Sequence, residues 1–174
     1  MDAVTLLREQ FKSAHQLLEG TMQGVTPQQA SYTPAGKANP IAASYAHIIF
    51  SEDGIVNHIL KKSVPLAAST FAGKTGASEA PPAGLGNWGE WSRRVKLDLP
   101  AFHKYAEAVY AATDQYIASL KAADLDRTVA MPVPGMEKTP IGVVLGNILH
   151  GHIHEHCGEI ASVKGLQGAK GYPM

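Results

Sequence analysis

The chain has 174 residues, of which 45% are hydrophobic, a size and apolar content that suit one domain with a proper core. Fifteen basic and fifteen acidic residues cancel, so the overall charge carries neither a nucleic-acid nor an anionic-membrane footprint. A single cysteine, Cys157, excludes an intrachain disulfide framework and fits a reducing compartment, the cytoplasm by default.

The N-terminus MDAVTLLREQFKSAH carries charges instead of a basic start followed by an apolar core, and no run of roughly 18 apolar residues follows it. The expected protein is neither exported nor membrane-spanning. A first helix is predicted over about 2–23, where Val4, Leu7, Phe11, Ala14 and Leu18 recur at three- and four-residue steps, with Gly24 as its stop. Thr26-Pro27 then starts a short helical turn. Asn39-Pro40, a cap residue and a first-turn proline, opens a second helix over about 40–61. Glu52 stands among apolar residues on its stripe, beside Ile48, Ile49, Ile55, Val56 and Ile59.

Between 63 and 90, Pro65, Pro81, Pro82, Gly73, Gly76, Gly84, Gly86 and Gly89 argue against any long regular element. Connections of this length in a compact domain are lids, crossovers or mobile segments, and greater mobility than in the helices is the expectation here. A third helix over about 99–122 carries Phe102, Tyr105, Ala106, Val109, Ala112, Tyr116 and Leu120 at helical spacing. Val129, Met131 and Val133 alternate before Pro134-Gly135, which suggests a short extended piece and a turn. Thr139-Pro140 starts a fourth helix that runs to about Val163, with Gly165 as its cap.

That fourth helix contains ILHGHIHEHCGEI, four of the chain's eight histidines within seven positions. At about 100° per residue from Ile141, its apolar side chains Val144, Leu145, Ile148, Leu149, Ile160 and Val163 form an arc centred near 30°. His152 and His156 fall at about 20° and 60°, in the middle of that arc, whereas His150 and His154 fall at about 180° and 220° and face solvent or a partner. Cys157, at about 160°, reads as a small semi-buried filler. Two imidazoles one turn apart on a buried face converge on one ion, the helical half of many transition-metal sites. Core histidines satisfied by neighbouring carbonyls would show the same spacing. A third ligand would come from helix two, where His47 and His58 share an azimuth but lie about 16 Å apart along the axis, and spacing does not choose between them.

The segment RTVAMPVPGMEKTPIGVVLGNILHGHIHEHCGEIASVKGLQG, with His152, His156, Gly158-Glu159-Ile160 and Leu166-Gln167-Gly168, resembles the C-terminal half of the DinB/YfiT-like superfamily. The likeness extends over nearly the whole chain, 1–174, as a single domain. It implies an all-α four-helix bundle with a long connection between helices two and three, and a divalent transition metal, zinc or nickel foremost, held by three histidines. The family places a histidine early in its second helix with a carboxylate about five residues later, as in His47 and Glu52, so the implied ligands are His47, His152 and His156. Glu159 departs from the family's usual glutamine.

Three open-faced imidazoles suit a catalytic more than a closed structural site. The resemblance implies low-molecular-weight thiol transfer or thiol-dependent isomerisation on a small-molecule substrate. A metal-dependent hydrolase, with Glu52 as catalytic base, is the alternative, and a non-enzymatic metal-binding or dimerisation module is the third. Glu52 would otherwise ligate the ion, accept a ligand histidine's proton, or form a plain salt bridge. Trp88 and Trp91 would line the site mouth or anchor a helix. His15 and His103 read as surface or packing side chains. A homodimer is expected from the family and from Tyr110, which has no evident core role.

Overall fold

The computed structural model describes residues 1–82 and 86–173. Helix α1, Ala3–Met22, is capped by Asp2, whose carboxylate accepts from the Thr5 amide, and Gly24 turns the chain away at φ +73°. The short α2, Pro27–Ser31, has a reciprocal capping box between Thr26 and Gln29. Helix α3, Ile41–Asp53, follows Pro40, which occupies the cap position itself, so the side-chain cap expected from Asn39 is absent. It continues as a π-helical stretch over Gly54–Leu60, and Lys61 donates to the carbonyl of Val56. After the connection come α4, Trp88–Arg94, and α5, Leu99–Ala118. Strands β1, Thr128–Val129, and β2, Thr139–Pro140, pair antiparallel across the expected turn, with Gly135 at φ +83°. The last helical run opens as α6, Ile141–Val143, passes through a π stretch at Val144–Leu149, and ends as α7, His150–Leu166.

The chain is mostly helical, with α1 packed on α5 and α7, and α3 packed on the same two helices. Their buried apolar side chains, among them Phe11, Leu18, Ile48, Phe102 and Ile160, form one connected cluster. The helical C-terminus extends past Gly165, and Gly168 rather than Gly165 takes the left-handed position, at φ +74°.

The connection is more structured than its breakers imply, although residues 83–85 of it lie outside the described ones. Asp53, fully buried, accepts from the amides of Leu66 and Ala67, from Asn57 and from the Tyr105 hydroxyl, which ties the start of the connection to α3 and α5. Further along, Gly76 at φ +86° lies against α5 so closely that a Cβ would sit 2.6 Å from the Phe102 nitrogen. The isolated bridge Ala77–Leu97 follows. No helix of the described residues is long and apolar enough to cross a membrane.

Candidate metal centre

Helix α3 is buried nearly all round in its first two turns, so it threads the core, and Ser44 and His47 are polar among its apolar neighbours. Its ring faces α7, where His152 and His156 project one turn apart. The three imidazoles offer ligand atoms that all lie within 4.8 Å of one another. The Nε2 atoms of His47 and His152 are 2.9 Å apart, and the ring centroids of the trio are separated by 4.4 to 4.9 Å. His58, the other candidate on helix two, is exposed and outside the group.

The expected phase of the fourth helix needs correction. In α7 the core face is Ile153, Cys157, Ile160 and Lys164, while His152 and His156 are half-buried at its flank. The cause is the π stretch: with i→i+5 bonds, such as His150 N–H to the Leu145 carbonyl, each turn holds an extra residue. The buried face therefore advances by one residue, about 100°, between α6 and α7. Cys157 accordingly moves from semi-buried filler to full burial, against the Thr21 hydroxyl at 3.2 Å. The histidines move from the core centre to its half-buried edge. The opposition of the two pairs survives, because all four residues lie in regular α-helix. His150 and His154 meet each other, with Nε2 atoms 3.2 Å apart, on the outer side.

Electrostatics keep the inner pair available as donors. Burial, then the neighbouring His156, lowers His47 to about 4 and His152 to about 3, so both are neutral at pH 7. His156 differs: its Nδ1 lies 2.7 Å from the Glu159 carboxylate, an acceptor that favours a proton on that nitrogen and orients the ring. Glu159 also accepts a long 3.5 Å bond from Ser44. This carboxylate is the partner that sequence reasoning left unassigned; the i, i+3 spacing from His156 is its signal. The buried Nδ1 of His47 has no hydrogen-bond partner among the described residues. Three soft-to-borderline nitrogen donors, two neutral by burial and one oriented by a carboxylate, fit a divalent transition metal.

Glu52 is placed elsewhere. Fully buried, it accepts from the Thr113 hydroxyl at 2.6 Å and meets His15 Nε2 at 3.1 Å through both oxygens, so it joins α3 to α1 and α5 and stands outside the histidine group. His15 is a buried partner rather than a surface side chain, and its ring stacks on Tyr110 at 3.8 Å. Tyr110 donates to Glu19 at 2.6 Å, which gives it the interior role that its position in the sequence hides and removes it as a motive for dimerisation. His103, exposed, bonds the same Glu19.

The histidine group opens on a cavity of about 420 Å³ lined by Asn39, Ser44, His47, Trp88, Trp91 and His156, among others. Trp88 meets the His47 ring edge-on at 4.6 Å and Trp91 at 5.2 Å, so α4, the helix inside the long connection, forms its wall. Among the described residues, no lysine, arginine or carboxylate lines it.

A solved structure from Enterococcus faecalis, described as a conserved protein, aligns with a TM-score of 0.81 over 95% of this chain and 97% of that one, at 19% identity, a likeness of fold alone. No curated protein matches. The DinB superfamily model matches residues 10–160, and on that span the chain belongs to the DinB superfamily.

Proposed function

We propose that the chain binds one divalent transition-metal ion, zinc or nickel, through His47, His152 and His156 and serves as a metal-dependent, thiol-dependent transferase acting on a small molecule. The observation that carries this reading is the convergence of three imidazoles at the edge of an aromatic-walled cavity. An ion on three neutral imidazoles keeps its positive charge and open positions, and supplies the Lewis acidity that lowers the pKa of a low-molecular-weight thiol. Glu159 holds the His156 ring by its Nδ1 proton, burial keeps His47 and His152 uncharged, and Trp88 and Trp91 shield the cavity and pack against the apolar part of the substrate. In the hydrolase alternative Glu52 would be the base, but its oxygens are engaged by His15 and Thr113.

The same reading takes the four long helical runs as a four-helix bundle forming one domain, places the protein in the cytoplasm, where thiols stay reduced, and expects a homodimer by family resemblance. Light scattering that returns a monomer across micromolar concentrations removes the dimer. For the function, elemental analysis of protein purified without an affinity tag should give one metal per chain. Assays with bacterial thiols and simple electrophiles, set against ester and amide substrates, should show turnover only in the first set. Ester or amide turnover transfers the reading to a hydrolase, and silence in both leaves a metal-binding module.

A further inference from the structure

Helix α7 interleaves two His-x-x-x-His pairs. His152 and His156 face His47; His150 and His154 face the other side of the helix, outside the three-histidine group. His154 is exposed and His150 half-buried, its ring edge resting on Phe11 at 6.0 Å. Their Nε2 atoms face each other at 3.2 Å. Two imidazoles sharing a tetrahedral ion with bonds of 2.0–2.1 Å hold their nitrogens about 3.3–3.4 Å apart. The outer pair therefore already has the spacing of a chelate, on a helix whose regular i, i+4 geometry fixes it.

We infer that His150 and His154 form a second divalent transition-metal site on the outer face of α7, separate from the three-histidine centre and weaker than it. Two protein donors leave the remaining positions to water, so the ion is exchangeable, and its class is the one that prefers imidazole: zinc, nickel or copper. The chelate spans the first turn of α7, directly after the π stretch. Occupancy ties that turn together, and His152 lies within it. The inference does not depend on the transferase reading or on the inner site being filled.

The test uses the full chain without a polyhistidine tag, stripped of metal and titrated with Zn²⁺ by calorimetry. Wild type should take two ions, the second at least ten-fold more weakly. His154→Ala, a change at an exposed residue, should take one, with the tight phase unchanged. The double variant His47→Ala, His152→Ala should lose the tight phase and keep the weak one, and Zn²⁺ should slow amide hydrogen exchange in the 150–154 turn of that variant. Circular dichroism checks that each variant folds. Saturation of wild type at one ion whose binding is unchanged in His154→Ala overturns the inference, as does a second ion that persists in both His150→Ala and His154→Ala. Loss of the tight phase from wild type, with the weak phase retained and dependent on His154, instead overturns the inner centre and leaves this one standing.

Discussion

At the scale of single residues, the site depends on which nitrogen of each imidazole is free. For His156 the partner at Nδ1 is Glu159, three residues further along the same helix. Replacing Glu159 by alanine removes the acceptor and should weaken metal affinity by roughly 10- to 100-fold, whereas Glu159→Gln keeps a carbonyl acceptor and should cost far less. Equal losses in the two variants, measured by competition with a chelator dye, would falsify that orienting role. Proton linkage gives a second expectation. His47 and His152 titrate near 4 and 3 in the folded protein, against about 6.5 when unfolded, so between these values the unfolded chain binds more protons. Their contribution to the stability of metal-free protein is present in full above about pH 6.5 and is lost as pH falls toward 4 and then 3. Urea unfolding of chelated protein at pH 7 and pH 5 should show this loss, and His47→Gln should show less of it. An identical pH dependence in the two proteins rules out His47 as a source.

At the scale of elements, the π stretch at Val144–Leu149 decides where α7 faces. A π stretch behaves as one residue inserted into an α-helix, so removing one residue restores regular α-helix without turning either flank. Deleting the exposed Asn147 should therefore leave metal stoichiometry at the three-histidine centre intact, while inserting an alanine at the same point should abolish it. A deletion variant that folds but binds no metal there contradicts the one-residue phase shift. Asp53 is the corresponding control point for the connection. Four donors converge on its buried carboxylate, two of them backbone amides of the segment that leads toward α4. Asp53→Ala leaves those groups unsatisfied and should cost about 3 kcal/mol in denaturant unfolding, with hydrogen exchange at Leu66 and Ala67 accelerated. A loss below about 0.5 kcal/mol would show that water replaces the carboxylate.

At the scale of the whole molecule, His47 comes from one long helical run and His152 and His156 from another, so an ion held by all three would cross-link α3 and α7. An ion that binds only the folded chain stabilises it by about 2.7 kcal/mol at a hundred times its Kd. For a chain of this size that corresponds to a rise in Tm of roughly 5 °C or more. Chelation of wild type should remove this increment, and should leave the Tm of His47→Ala, His152→Ala or His156→Ala unchanged. A wild-type Tm indifferent to chelator, in protein shown to contain metal, would mean that the ion does not bridge the two helices.

The sequence by itself determined the helical runs, since the three- and four-residue spacing of Leu7, Phe11, Ala14 and Leu18 or of Phe102, Ala106 and Val109 is a local periodicity that packing then obeys. It also determined that residues 150 and 154 oppose 152 and 156, because that follows from helical geometry within one turn. The choice of His47 over His58 came from the family resemblance rather than from spacing. Only the tertiary structure decided the rest. The π stretch carries no periodicity signal of its own, so the one-residue rotation that moves the histidines to the core edge and Cys157 into the core was invisible locally. The partners of Glu52, His15 on α1 and Thr113 on α5, lie 37 and 61 residues away, and no spacing along one helix reports a contact between three. The same holds for the wall that Trp88 builds beside His47: its place depends on how a breaker-rich connection is anchored by Asp53 and Gly76, which is settled by burial and close approach in three dimensions.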